Sequence, residues 1–302
     1  MRTNNAAPKI IVKKRGNAFG FWFFRSFLKV FGLRGAYGFL YIICLQYLLF
    51  DRQAVSGALA YLKRRFAGSG FLRLRFYVYS LFVSQGKQLI DRYAAVSGNA
   101  LFDITLKGAE GLGELLRGRQ QGFILLTAHV GNWQVALTTL KKLNRRVHLV
   151  MRPEDNKAVE SSLHISKEND FIRVISPEAE LDGILQIMKA LKAGDVVSIM
   201  GDRKYNFEAL GVSFLKGQAY FPYGAFVIAA AANCPVVVLL SAKLSYKKYL
   251  VDVSNVLYPR YSGFAGKQEQ LRVFVQQFAT ILDTYTQEYP YQCFLFHDIW
   301  KN

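Results

Sequence analysis

The chain of 302 residues is long enough for one large domain or two small ones, and its 52% hydrophobic and 15% aromatic residues exclude general disorder. A net charge of +18 and a pI near 9.8 indicate an acidic partner: a nucleic acid, an anionic membrane or an acidic protein. Residues 1–80 carry fourteen Lys and Arg against one acid, Asp51, and large apolar side chains separate these cations. Since no nucleic-acid-binding module accompanies them, the distribution favours an anionic membrane lipid over nucleic acid.

The first fifty residues combine cations with aromatic and aliphatic side chains. Residues 1–17 are polar and basic, and residues 20–31 carry a dense aromatic face with spaced cations, which is typical of a helix at a membrane interface. Residues 36–50 hold no charge, but these fifteen residues fall short of the roughly 20 that a simple span requires. We therefore expect a helical hairpin in one leaflet. A buried core helix and a single span that includes the aromatic residues are the alternatives.

Basic and aromatic residues continue beyond this region. Residues 61–66 and 71–76 repeat the pattern, and clustering of one sign of charge favours a phosphate-rich surface over an ordinary solvated helix face. Acids and alternating apolar runs begin near Phe102. We therefore expect a basic tail with a membrane-associated helical hairpin at residues 1–55 and an α/β domain at residues 56–302, with the helices up to about residue 97 able to pack on its core.

The chain is organised around residues 123–134, which predict a strand, a sharp turn and a helix. The apolar run from Phe123 to Leu126 is typical of a strand that is buried on both faces. Gly131 allows the turn, and Asn132 is a suitable N-cap for a helix that begins at Trp133. His129 is then expected at the carboxyl end of a buried strand, where open α/β sheets bind their ligands.

Strand and helix patterns alternate through the rest of the chain. Strands are predicted at residues 146–151, 171–176, 196–200 and 235–242, with an antiparallel addition at 249–253, and helices at 181–193, 223–232 and 268–289. This alternation predicts an α/β fold with a central, mostly parallel mixed sheet flanked by helices, preceded by the N-terminal membrane-associated helical region.

Residues 128–133, Ala-His-Val-Gly-Asn-Trp, resemble the motif region of the bacterial lipid A late acyltransferase family, within the His-x4-Asp/Glu glycerolipid acyltransferase superfamily. The resemblance implies an O-acyltransferase that moves a fatty acyl chain from acyl carrier protein or coenzyme A to a hydroxyl of a glycolipid or lysolipid. His129 would be the general base, without a serine or cysteine nucleophile. The chain contains no Gly-x-Ser-x-Gly elbow, which argues against an α/β-hydrolase.

The chain departs from the family motif at Gln134, where the family carries a carboxylate. Gln134 could accept a hydrogen bond from the His129 ring and orient it, but it cannot stabilise imidazolium by charge. Three explanations are open: a slower enzyme, another carboxylate such as Asp202 or Asp103 in its place, or a deliberate Glu→Gln substitution. The alternative function is a weak or inactive homologue that binds lipid or acyl carrier without turnover.

Further segments match the family in the same order along the chain. Arg152, Asp202 and Arg203 each follow a predicted strand, and the resemblance assigns them, with Asn132, to substrate binding. Arg152 and Arg203 are candidate phosphate clamps, because guanidinium groups bind phosphate oxygens in a bidentate manner. Structural salt bridges at the ends of the sheet are the alternative. His297 and Asp298 could form a second dyad, but adjacent side chains rarely face one another, so we interpret the aromatic C-terminus as packing.

The remaining features concern compartment and cofactors. Cys44, Cys234 and Cys293 lie far apart without metal-like spacing, which predicts buried free thiols in a reducing compartment. We expect no metal and no cofactor beyond the acyl carrier protein or coenzyme A thioester as co-substrate. No signal peptide is evident. With the resemblance, these features predict a protein of lipid A biosynthesis and lipid metabolism at the cytoplasmic face of the bacterial cell inner membrane.

Overall fold

The structure is a computed structural model that describes residues 18–96, 101–118, 121–140, 145–151, 171–176, 180–203, 208–263 and 266–301. The predicted basic tail at residues 1–17 and Arg152 lie outside these ranges.

Seven of the described strands form one mixed sheet, which confirms the predicted fold class. The strands are β1 (Asp103–Lys107), β2 (Phe123–Thr127), β3 (Val147–Val150), β4 (Ile172–Ile175), β5 (Val196–Met200), β6 (Ala209–Phe214), β7 (Gly217–Pro222), β8 (Val236–Lys243) and β9 (Lys248–Leu257). Their order in the sheet is β1-β9-β8-β2-β5-β3-β4. Strands β8, β2, β5, β3 and β4 are mutually parallel, and β9 pairs antiparallel with β8, as predicted for residues 249–253.

Helices cover both faces of this sheet. They are α1 (Ala18–Phe50), α2 (Arg52–Arg65), α3 (Phe71–Val96), α4 (Ala109–Gly118), α5 (Trp133–Leu140), α6 (Glu180–Lys192), α7 (Gly224–Ala231) and α8 (Lys267–Glu288). Alternate residues of β2 point to opposite sides: Ile124 and Leu126 pack in a core with α1–α3 and α6–α8, whereas Phe123 and Leu125 pack with α4 and α5. Burial on both faces explains the unbroken apolar run from Phe123 to Leu126 in β2.

Strands β6 and β7 form an antiparallel hairpin apart from the main sheet, which the sequence analysis did not predict. Its turn residues Leu215 and Lys216 both have positive φ. Neither is glycine, so no local sequence signal marks this turn. The hairpin packs against α8 and against Trp300 near the C-terminus, whose ring stacks on Phe214.

Helix α1 is apolar on two sides. Residues 20–31 and 36–50 lie in two helical segments of α1 that meet at a kink at Gly32, where φ is +63° and ψ is −171°. Their arrangement as a hairpin in one leaflet stays a prediction. Its inner side buries residues such as Leu33, Tyr37 and Leu40 in the core, while its outer side exposes others such as Ile42 and Leu49. The stretch Ser26–Phe50 is long and apolar enough to cross a membrane.

A buried polar cluster ties α1 to the sheet. The Asp91 carboxylate of α3 is fully buried and accepts hydrogen bonds from the Tyr37 and Tyr249 hydroxyls and the Lys243 ammonium group. Burial lowers the pKa of Lys243, and the neighbouring Asp91 opposes that shift. Because α1, α3, β8 and β9 each contribute one member, the cluster fixes the N-terminal helices relative to the α/β core.

Candidate active site

The ends of two neighbouring strands bring His129 and Asp202 together. Strands β2 and β5 are parallel and in register, with Thr127 opposite Met200, so each residue lies two positions beyond the paired ends. The amide of Gly201 donates to the Thr127 carbonyl over 2.8 Å and extends this pairing past the strands. The pair therefore occupies the carboxyl edge of the sheet, where α/β folds bind ligands.

The Asp202 carboxylate holds His129 at three points. Both carboxylate oxygens lie 3.0 Å from His129 Nδ1, and the His129 backbone N–H donates to Oδ2 over 2.9 Å. Asp202 is fully buried, whereas the His129 side chain is 20% exposed. Since an ionised carboxylate can only accept, Nδ1 carries the proton and Nε2 has the lone pair. This is the arrangement of a histidine base oriented by an acid.

The environment keeps Asp202 ionised. Burial alone would raise its pKa, but the charge of His129, the hydrogen bonds from that residue and the charge of Arg203 lower it to about 2. A permanent carboxylate at this position stabilises a proton taken up by the His129 ring.

Gln134 does not reach His129. Its side chain is buried, and its Oε1 accepts a hydrogen bond of 2.8 Å from Arg92 on α3. The contact expected from the motif, with Gln134 orienting the ring, is absent between these two described residues because helix α5 directs position 134 towards α3. Of the carboxylates that the sequence analysis named as alternatives, Asp202 contacts His129.

The turn after His129 requires glycine at position 131. Gly131 has φ +53°, and a Cβ there would collide with the Ser241 carbonyl oxygen of β8. Its amide donates to the Gln292 carbonyl over 2.8 Å, and the next amide, of Asn132, donates to Ser241 Oγ over 2.7 Å. The loop that carries His129 is therefore clamped between β8 and the C-terminal segment.

Asn132 is the N-cap of α5, as expected. Its Oδ1 accepts from the Val135 amide over 3.3 Å, and its Nδ2 donates to the Gln88 carbonyl over 2.8 Å. The residue is 4% exposed. Because both ends of the amide are bonded within the protein, the side chain that the motif assigned to substrate binding acts in the structure as a cap.

Arg203 follows Asp202 at the same edge of the sheet. Its Nε is buried and has no hydrogen-bond partner among the described residues. A buried guanidinium N–H in this condition is expected to have a partner in the working protein. Arg152, the other predicted phosphate clamp, lies outside the described residues.

The C-terminal segment packs against the loop that carries His129. The Phe294 amide donates to the His129 carbonyl over 2.7 Å, and Val130 forms an isolated antiparallel bridge with Cys293. His297, three residues later, lies close enough to Asp202, Arg203 and His129 for all three to influence its pKa. Asp298 instead pairs with Lys301 and accepts from the Trp300 amide. The sequence pattern was interpreted as packing because adjacent side chains such as His297 and Asp298 rarely face one another.

Other features of the described chain lie away from this site. A groove of about 1040 Å³ between the β6–β7 hairpin and α8 contains none of the predicted site residues. Within the described residues, no three His, Cys, Asp or Glu side chains come together as metal ligands would. The cysteines Cys44, Cys234 and Cys293 are free and buried, as predicted.

Comparison with known proteins identifies the family. No similar sequence is found among curated proteins. The family model of the bacterial lipid A biosynthesis acyltransferases matches residues 99–302, which include every strand of the sheet and the His129–Asp202 pair, and it begins after α3. The chain therefore belongs to the bacterial lipid A biosynthesis acyltransferase family.

Proposed function

We propose that this protein transfers a fatty acyl chain from an acyl carrier protein or coenzyme A thioester to a hydroxyl of a glycolipid or lysolipid, with His129 as the general base. The observation that carries the proposal is the His129–Asp202 pair, with both carboxylate oxygens 3.0 Å from Nδ1. This pairing leaves Nε2 as the basic nitrogen in a partly exposed ring.

The chemistry follows from these groups. His129 Nε2 removes the proton from the acceptor hydroxyl as its oxygen attacks the thioester carbonyl carbon, and Asp202 stabilises the resulting imidazolium. The carbon–sulfur bond then breaks, and the thiolate leaves with the proton returned by His129. No acyl-enzyme forms, so the protein needs no nucleophilic serine or cysteine.

Arg203 is proposed to bind phosphate on the donor or the acceptor. It lies next to the pair, and its buried Nε lacks a partner among the described residues. Arg152 is proposed for the same role from its place in the family motif. Both coenzyme A and phosphorylated lipids present oxygens that match a guanidinium group.

Membrane attachment is proposed for the outer side of α1 and the nearby start of α3. Arg75 of α3 donates to the Leu48 carbonyl of α1 over 3.2 Å, so the two ends are neighbours. They expose Phe50, Phe71 and Leu72 at 77%, 73% and 81%. Cations such as Arg73 are exposed beside them, a combination that suits an anionic leaflet. We place this leaflet at the cytoplasmic face of the inner membrane.

Surface substitutions test the attachment better than removal of α1, since its inner side is part of the core. The triple change Phe71→Ser, Leu72→Ser and Phe76→Ser should weaken binding to anionic vesicles at least about a hundred-fold, because each buried side chain contributes about 1.5–3 kcal/mol. Val273→Ser, at an exposed apolar position of α8, is the matched control. Equal vesicle binding by the triple variant and the control would refute the attachment.

A lipid profile tests the reaction in cells. Mass spectrometry of membranes with and without the gene should reveal one lipid that loses an acyl chain in the deletion strain, and a His129→Ala gene should fail to restore it. Restoration by the His129→Ala gene would refute the proposed base. The alternative, a lipid-binding homologue without turnover, depended on Gln134, whose amide contacts Arg92 rather than His129.

A further inference from the structure

A pocket of about 500 Å³ opens between α1, α3 and the end of α8, and neither His129 nor Asp202 lines it. One face of α3 forms its longest wall, with lining residues at helical intervals of three or four: Phe76, Tyr79, Ser80, Val83, Ser84 and Lys87. The other walls come from Tyr41 of α1, from Glu288 at the end of α8 and from the short 3-10 helix Pro290–Gln292. The volume lies in the range of small-molecule sites.

The α3 wall of the pocket carries a cation. The Lys87 ammonium group donates to the Tyr41 hydroxyl over 2.8 Å and lies 4.9 Å from the centre of the Tyr41 ring. Among the described residues, no carboxylate lies within salt-bridge distance of Lys87. An ammonium group has three N–H donors, and the Tyr41 hydroxyl, which accepts one of them, can donate its own proton. Lys87 and Tyr41 together therefore offer a positive charge and hydrogen-bond donors to an anion such as phosphate.

The opposite wall carries an anion beside aromatic rings. The Glu288 carboxylate accepts from the Tyr289 hydroxyl over 2.6 Å. The described part of the chain places no lysine or arginine within salt-bridge distance of Glu288. Tyr289 and Tyr291 line the pocket next to it. This wall suits an ammonium group, because a carboxylate and the faces of aromatic rings both attract a cation.

The pocket borders the surface for which membrane attachment is proposed. Phe76 lines the pocket and is 62% exposed. Leu72, one helical turn before it on α3, is exposed as well. A lipid in the pocket therefore has an apolar surface for its chains at Phe76 and two charged groups, Lys87 and Glu288, for its headgroup.

We propose that this pocket binds the phosphoethanolamine headgroup of a membrane phospholipid, with the phosphate at Lys87 and Tyr41 and the ammonium group at Glu288. The two charged residues line the same pocket without pairing with each other, so a headgroup with one charge of each sign complements both. A headgroup with a phosphate alone leaves Glu288 without a cation. The site goes beyond the proposed acyl transfer, and only the route by which a lipid reaches it rests on the proposed membrane attachment.

Calorimetry with short-chain lipids tests the pocket without turnover and without a bilayer. Dihexanoyl phosphatidylethanolamine and dihexanoyl phosphatidylglycerol share the phosphate, but only the first carries an ammonium group. Wild-type protein in a non-ionic amphipol should bind the first about three-fold to thirty-fold more tightly. The net charge of +18 would by itself favour the anionic phosphatidylglycerol, so this preference reports on the Glu288 wall.

Two substitutions separate the two walls. Glu288→Gln should reduce the preference to one or below, because the amide carries no charge. Lys87→Met should weaken the binding of both lipids about three-fold to thirty-fold and leave the preference in place. Glu269→Gln is the matched control, since it removes another exposed carboxylate of α8, paired with Arg272 and about 28 Å along the helix from Glu288. This control should preserve both the affinity and the preference.

The deacylated headgroup, glycerophosphoethanolamine, distinguishes a lipid from a soluble ligand. It should bind at least about ten-fold more weakly than the short-chain lipid, because it lacks the chains that contact Phe76. Equal binding would make the ligand a soluble molecule and overturn the lipid assignment.

Three further results would overturn the site: equal or tighter binding of phosphatidylglycerol by wild-type protein, an unchanged preference in Glu288→Gln, or unweakened binding in Lys87→Met. Glu288 is exposed, so its replacement should leave the fold intact, and the wild-type comparison decides in any case. Failure of acyl transfer with the lipid preference intact would instead refute the proposed function alone.

Discussion

Replacing Asp202 with asparagine removes the group that keeps the proton of the neutral His129 ring on Nδ1, the form that the proposed reaction requires. The carboxylate accepts from Nδ1 through both oxygens and from the His129 backbone amide through one. Asparagine has one acceptor oxygen, and that oxygen is needed for the backbone amide. Its NH₂ group would then face Nδ1, which favours the tautomer with the proton on Nε2. A ring protonated on Nε2 cannot act as the base.

The expected loss of transfer activity in Asp202→Asn is large. The corresponding change in a serine protease triad, aspartate to asparagine, lowers kcat about 10⁴-fold through the same change of tautomer. For Asp202→Asn we expect a loss of about 10³- to 10⁴-fold, which corresponds to about 4–5.5 kcal/mol in the barrier. Because the Asp202 side chain is fully buried against His129, we expect KM for the thioester to change little.

The change also alters stability at low pH. The pKa of Asp202 is lower in the folded protein, at about 2, than in an unfolded chain, at about 3.9, so its ionised form stabilises the fold above pH 4. This contribution is lost as the pH falls from about 4 to about 2, since the carboxylate must then be protonated. In Asp202→Asn, the folding stability should no longer lose this contribution as the pH falls. Thermal unfolding at several pH values measures the difference.

The kinetic assay follows transfer from a labelled acyl thioester to lipid by purified wild-type and variant protein. Asp195→Asn is the matched control, because it breaks a His–Asp pair of 2.8 Å that lies away from the site. A loss in Asp202→Asn below about ten-fold, or an equal loss in Asp195→Asn, would refute the role of Asp202 as the partner of the base.

Three other substitutions test the surrounding structure. Gln134→Glu should place a carboxylate beside the Arg92 guanidinium group and change the transfer rate less than about three-fold. A ten-fold gain would show that position 134 acts on His129. Gly131→Ala should destabilise the fold by at least about 3 kcal/mol in thermal unfolding, and an unchanged melting temperature would contradict the clamped turn. Asp91→Asn should lower the free energy of unfolding by about 3–5 kcal/mol, because it leaves the buried Lys243 ammonium group without its carboxylate. Wild-type stability in this variant would contradict that pairing.

Local patterns in the sequence predicted the sheet well. The apolar run at Phe123 to Leu126 identified the central strand because both of its faces are buried, and Gly131 and Asn132 marked the turn and cap that follow. The hairpin of β6 and β7 was missed, since its turn uses Leu215 and Lys216 rather than glycine. Its residues also pack on α8, a contact that no short window of sequence contains.

The partner of His129 could be predicted only as one of several alternatives. Asp202 lies 73 residues away along the chain and becomes a neighbour because β2 and β5 are adjacent, an order that alternation of strands and helices does not fix. Gln134 was the nearer candidate in sequence, but the direction of α5 turns it towards Arg92. His297 was considered only with the adjacent Asp298, whereas its neighbours in the structure, Asp202 and His129, follow β5 and β2.

One measurement decides whether the site performs the proposed reaction. Purified protein is mixed with acyl carrier protein or coenzyme A thioesters and a lipid extract from the deletion strain, and mass spectrometry follows the mass of one acyl chain added to a lipid. Wild-type protein should form this product, and His129→Ala, folded to the same extent, should form at least about 10³-fold less. Product formation by His129→Ala at the wild-type rate, or no product from wild-type protein with either thioester, would contradict the assignment of His129 as the base of an acyl transfer.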